Sequence, residues 1–138
     1  MADNVQDLRP KADSEKITIN LGYVDLGHID LLVQEGFYST RTDFIRTAIR
    51  NQVERHAEVV RHAVARKSVD LGLRHFRRED LEALRKAGQM LQIRVLGLVS
   101  IARDVTPDLA RATISSVEVL GALQASAEVK AALADRIR

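Results

Sequence analysis

Apolar and polar residues alternate strictly over Lys16–Leu21 (KITINL), with Ile17, Ile19 and Leu21 on one side and Lys16, Thr18 and Asn20 on the other. A period of two predicts a half-buried strand over residues 16–21. So short and solitary a strand is not stable alone, and the nearest pairing candidate is the same strand of a second copy. Beyond it the period lengthens. Leu26, Ile29, Leu32 and Val33 recur at helical spacing, which predicts a helix over about residues 24–35, with Asp25 near its start and Gly36 as a left-handed C-cap. Phe37 and Tyr38 lead into Ser39, and Thr40-Arg41-Thr42-Asp43 fits a capping box. A second helix follows with its stripe on Phe44, Ile45, Ala48, Ile49, Val53, Ala57, Val60 and Val64. No Gly or Pro interrupts it before Ser68, so it is expected to run for roughly 25 residues or more, long for a globular helix. The part beyond Glu54 would serve as a spacer or a coiled-coil seam.

The second half carries three related pentads, VDLGL (69–73), RVLGL (94–98) and EVLGA (118–122), whose glycines Gly72, Gly97 and Gly121 are 25 and then 24 residues apart. Each precedes a helical signal: Glu79-Asp80-Leu81 running to Leu84, Thr106 before Pro107, and Ser126 before Val129, Ala132 and Leu133. Strand, turn and helix at this interval predict a three-unit β–α repeat of the stacked kind. The second strand is apolar on both faces (Ile93, Val95, Val99 and Ile101; Leu96 and Leu98), as a strand buried on both sides would be. A helical bundle stays open as the alternative for this half, because short apolar runs are ambiguous. The fold class expected is therefore α+β, divided into a polar arm over 1–14, a first domain over 15–67 and a second over 68–138.

Composition narrows the partners. The chain is 46% hydrophobic and 29% charged, with 4% aromatics, no Trp and no Cys, so its core must be aliphatic and holds neither disulfides nor thiolate metal sites. That fits a reducing cytoplasm. No apolar run approaches the roughly 20 residues of a membrane span, and MADNVQDLRPK holds no signal-peptide core. The net charge is only +2, but residues 41–67 hold seven basic residues (Arg41, Arg46, Arg50, Arg55, Arg61, Arg66, Lys67) against Asp43, Glu54 and Glu58, a local +4. A basic helix of this kind can track phosphates. A solvated helix face of mixed charge explains the same residues.

Taken together, KITINL, LLVQEG and STRTDFIRTAIR in that order resemble the ribbon-helix-helix superfamily of bacterial DNA-binding regulators, the MetJ/Arc/CopG type, over residues 16–50. Gly22, where a Pro or an acidic residue is usual, and Gly27, inside the first helix, depart from that pattern. They suggest a first helix that is short at its start or closely packed. The resemblance implies a homodimer in which two copies pair their strands antiparallel and interlock their helices. A unit of some 40 residues gains from this the burial it cannot achieve alone. Its dimer core would comprise Ile17, Ile19, Leu21, Ile29, Phe44, Ile45 and Ile49.

The same resemblance implies that the ribbon enters the major groove of double-stranded DNA with Lys16, Thr18 and Asn20 facing the bases. Lys16 would donate to guanine or to phosphate, Thr18 would donate or accept, and Asn20 would pair bidentately with adenine. Ser39, Thr40, Arg41 and Thr42 open the second helix, whose free amides favour a phosphate. Simple capping explains those four as well, and the two roles can coexist. Arg9 and Lys11 could add phosphate contacts from the arm.

No catalytic constellation, P-loop or HExxH is present, and no cofactor is expected. Of the four histidines, His56 and His62 are six apart and miss one helical face, while His28 and His75 are isolated, so surface or interface roles are preferred to a metal site. The expectation is thus a cytoplasmic, non-enzymatic, sequence-specific transcriptional regulator, a repressor, without membrane partners. The second domain would serve oligomerisation, partner or effector binding. A DNA-anchored self-assembling protein and the antitoxin of a toxin–antitoxin pair are the alternatives.

Overall fold

The computed structural model of the protein describes residues 14–138. It has two compact units, Ser14–Ala63 and Val64–Arg138. In the first, residues 15–22 form neither a helix nor a sheet pairing within the single chain. Helix α1 spans Tyr23–Gln34 and helix α2 spans Arg41–Arg55. Between them Gly36 adopts φ +85°, and the amides of Gly36 and Phe37 return to the carbonyls of Val33 and Leu32 at 3.1 and 3.0 Å. This is the left-handed cap expected of Gly36. Gly22 precedes α1 without a side-chain cap, and a Cβ built on Gly27 meets nothing within 4 Å, so α1 is not closely packed there within one chain.

The long second helix is not continuous. Helix α2 ends at His56, whose amide turns back to the Val53 carbonyl at 3.0 Å, and α3 then runs over Ala57–Lys67. No breaker residue marks the interruption. Val53, His56, Val59 and Val60 are weak helix formers, and their clustering leaves little to hold a solvent-exposed helix straight through this point.

The second unit is a three-stranded parallel sheet, in order β1-β2-β3, formed by Asp70–Phe76, Leu91–Ile101 and Ile114–Gln124. Helix α4 (Arg78–Lys86) joins β1 to β2, α5 (Pro107–Thr113) joins β2 to β3, and α6 (Ala127–Ala132) follows. This half is therefore not a helical bundle. The helices begin where caps place them. Thr106 Oγ1 accepts from the Leu109 amide at 3.1 Å and Ser126 Oγ from the Val129 amide at 3.2 Å. Leu81 of α4, Leu109 and Ala110 of α5, Val129 of α6 and Leu133 just after it pack onto one sheet face with Ile93, Val95, Val99, Ile101 and Val117. The single buried polar side chain among the described residues, Thr113, donates to the Leu109 carbonyl at 2.7 Å.

The pentad glycines stand side by side in register, Gly72 against Gly97 and Gly97 against Gly121, with φ of +123°, +140° and +126°. A Cβ on Gly97 would lie 2.1 Å from the Gly72 carbonyl oxygen, and one on Gly121 would lie 2.0 Å from that of Gly97. Glycine is obligatory there on both counts. A second expectation fails here. Strand β2 is buried on its helix-facing side, but Leu96 and Leu98 on the other side stay partly exposed, because no second layer among the described residues covers that face.

Candidate nucleic-acid interface

Lys16, Thr18 and Asn20 are all exposed in the single chain. So are the apolar residues between them: Ile17 is 76% and Ile19 61% exposed, and Leu21 is exposed as well. Of the expected dimer-core residues only Ile29 is buried within one chain; Phe44 and Ile45 are half-buried and Ile49 is exposed. Ile29 is in fact the one buried residue of Ser14–Ala63. Tyr38 and Phe44 add an edge-to-face contact, ring centroids 5.0 Å apart, that ties the inter-helix turn to α2.

The start of α2 is more heavily occupied than the sequence pattern suggests. Thr40 Oγ1 accepts from the Asp43 amide at 3.0 Å, as a cap should. The Asp43 carboxylate reaches back one residue beyond the expected partner, accepting from the amide and hydroxyl of Ser39 at 3.0 and 3.2 Å. Arg41 lies against Asp30 of α1 in a two-pronged pair, with Nε to Oδ1 at 2.7 Å and Nη2 to Oδ2 at 2.8 Å. The Arg41 hydrogen bonds hold the Asp30 carboxyl below the ordinary carboxylate range, and Asp30 in turn raises the guanidinium. This pair was not readable from the sequence, since the partners are eleven residues apart on different helices.

What remains open at this helix start is the backbone. The first amides of a helix, here those of Arg41 and Thr42, have no intrahelical carbonyl to bond. They and the Thr42 hydroxyl can receive an anionic oxygen, while Asp43 and Asp30 subtract from the positive potential. Arg46, Arg50, Arg55, Arg61, Arg66 and Lys67 all project into solvent. Arg61 is engaged by Glu58, which also lies 3.5 Å from His62. Arg9 and Lys11, with the rest of the arm before Ser14, lie outside the described residues. Among the described residues no group of three or more His, Cys, Asp and Glu side chains gathers as a metal site would, and no helix is long and apolar enough to cross a membrane.

A capped helix pair preceded by an exposed alternating segment is thus joined in one chain to a sheet-bearing unit. The chain belongs to the Ribbon-Helix-Helix transcriptional regulator family, whose model matches residues 12–130. The match extends through the sheet as far as α6, so the second unit is part of what the family shares. Comparison with curated proteins and with solved structures gives no match.

Proposed function

We propose that this family member is a homodimeric, sequence-specific repressor that acts in the cytoplasm and reads the major groove with a two-stranded antiparallel ribbon. Lys16, Thr18 and Asn20 from each copy face the bases. Ser39, Thr40, Arg41 and Thr42 set the start of α2 against the phosphates, which the amides of Arg41 and Thr42 receive. Residues 15–67 carry DNA binding and dimerisation, and residues 68–138 form a three-unit strand–helix repeat for further assembly or for a partner or effector. No catalytic role and no cofactor enter the reading.

The observation that carries it is the segment Lys16–Leu21, alternating in character and left exposed and unpaired. Each isoleucine or leucine fully buried in a ribbon dimer contributes about 1.5–3 kcal/mol. Ile17, Ile19 and Leu21 gain this burial twice in a twofold assembly. The sheet-bearing unit Val64–Arg138 stands against the antitoxin alternative, which would place a disordered toxin-binding tail there.

Mapping of genomic binding sites supplies the operator for the test, a gel-shift comparison of Thr18→Ala and Asn20→Ala with the parent protein. Each substitution is expected to weaken operator binding by roughly 1–3 kcal/mol and to relax base preference at one position per half-site. If the Asn20→Ala protein distinguished operator from random DNA as the parent does, the ribbon would not be the reading surface.

A further inference from the structure

The helix-free face of the sheet is ordered in rows. Strand register places Leu71, Leu96 and Leu120 in one row and Leu73, Leu98 and Ala122 in the next. A polar row flanks each side. One contains Arg94 and Glu118, 3.7 Å apart, and the other contains His75, Ser100 and Gln124. Leu71, Leu73 and Leu120 are 71%, 64% and 56% exposed. Parallel sheets are found almost only with both faces covered, so a leucine face without a layer is incomplete.

We infer that this face packs against the same face of a second copy of the chain, with the strands of the two sheets running antiparallel. The row order selects this arrangement. A twofold axis across the strands, midway between the two leucine rows, sets Leu71 over Leu73, Leu96 over Leu98 and Leu120 over Ala122. It sets Arg94 over Ser100 and Glu118 over Gln124, with no like charges opposed. A twofold axis along the strands would instead stack Arg94 on Arg94. The result is an apolar centre with a polar rim, the anatomy of a protein interface.

Size argues for a second copy over a foreign partner. Three strands about 4.8 Å apart and seven residues rising about 3.3 Å each give a face of roughly 300–350 Å². That is less than half of the ~800 Å² per partner that a self-sufficient interface buries. The face therefore works between chains already gathered elsewhere, where a high effective concentration replaces area. To this extent the inference rests on the ribbon dimer.

Edge-to-edge growth is the competing mode, and β1 is built against it. Asp70 and Arg74, paired at 2.8 Å, occupy register positions matching Val119 and Leu123 of β3. Adding β1 to the β3 edge of another copy would set those charges beside half-buried apolar side chains. Charges pointing inward on an edge strand oppose such pairing.

The absence of cysteine makes the test direct. In the full chain, Glu118→Cys with Gln124→Cys is treated with a bismaleimide spanning about 10 Å, the spacing of face-packed sheets. Cross-links are mapped by mass spectrometry and the assembly mass is measured by light scattering. The expected result is an interchain link between residues 118 and 124, falling at least tenfold when Leu71→Lys and Leu120→Lys are added. Both leucines are exposed in the single chain, so the fold is retained, which circular dichroism checks. A dimer without the 118–124 link overturns the face and leaves the ribbon reading intact. A monomer overturns the ribbon reading, and with it the tethering this face requires. Species that grow with concentration and survive the lysine pair overturn the face in favour of edge growth.

Discussion

Alanine at the three sheet glycines separates two physical costs that usually occur together. Gly72, Gly97 and Gly121 share a positive φ, but only the latter two have a neighbouring carbonyl where a Cβ would go, at 2.1 and 2.0 Å; Gly72 has open space. A side chain at such a φ costs about 1–3 kcal/mol, and the lower chain entropy of unfolded alanine offsets about 0.4–1 of it. Gly72→Ala is therefore expected to destabilise by about 1–2 kcal/mol. At Gly97 and Gly121 the neighbouring carbonyl must also move by more than 1 Å to restore an ordinary contact. Overpacking adds about 1–3 kcal/mol, and a distorted ladder hydrogen bond about 1 more. Gly97→Ala and Gly121→Ala should thus each cost about 4 kcal/mol. Urea unfolding followed by circular dichroism reads the difference directly. With a slope of about 1.5 kcal/mol per molar urea, the midpoint falls by roughly 1 M for Gly72→Ala and by 2–3 M for the other two. Equal losses at all three positions would mean that the backbone angle alone demands glycine, and the carbonyl contact would lose its place in the account.

Three further outcomes follow from contacts described above. Ser68 has φ +52° at the end of α3, where its amide and that of Val69 return to Ala65 and Val64; Ser68→Gly should raise thermal stability by about 0.5–1 kcal/mol, because glycine avoids the left-handed penalty. Arg111 holds the Asp135 carboxyl below the ordinary value of 3.8, as Arg41 does Asp30. A carboxyl lowered by folding stabilises above its unfolded value, so both contributions are present above pH 3.8 and lost as pH falls through the lowered values. Near-UV dichroism of the tyrosines should therefore report loosening of the α1–α2 turn only below that pH, and Asp30→Asn should remove this step. Arg41→Ala should weaken binding to operator and random DNA alike, because it removes a positive charge and leaves the Asp30 carboxylate unpaired beside the α2 amides, measured by fluorescence titration at several salt concentrations. A loss confined to the operator would instead assign Arg41 to base reading.

How far the sequence speaks depends on the range of the force involved. Gly36, Thr40, Thr106 and Ser126 act within one turn of chain, and the structure places their caps and turns where the residues predict them. The pentads were legible because each glycine must match the one in the adjacent strand. The Asp30–Arg41 pair depends on how α1 meets α2, and no local signal announces it. The break at His56 arises from several weak helix formers acting together, with no single punctuating residue. For the sheet leucines the pattern was readable, but the covering surface was not. Alternation at Ile17 and Ile19, or leucines on both faces of β2, state that a surface is to be buried. They do not state which layer buries it.

The row of glycines also acts as a gauge for alignment. A parallel strand of mostly aliphatic residues has little to prevent it from sliding along its neighbour, and a slip of one residue turns every side chain to the wrong face. Here a slip in either direction sets Leu96 or Leu98 opposite Gly72, and a leucine holding the backbone angle of Gly97 would drive its Cβ into that carbonyl. Strands β1 and β2, and likewise β2 and β3, can interlock in a single alignment. An additional unit inserted between two existing ones would be held to the same mark, provided its own glycine kept the interval of 24 or 25 residues. The sheet could thus gain or lose whole units over evolutionary time while a shift of one residue stayed forbidden.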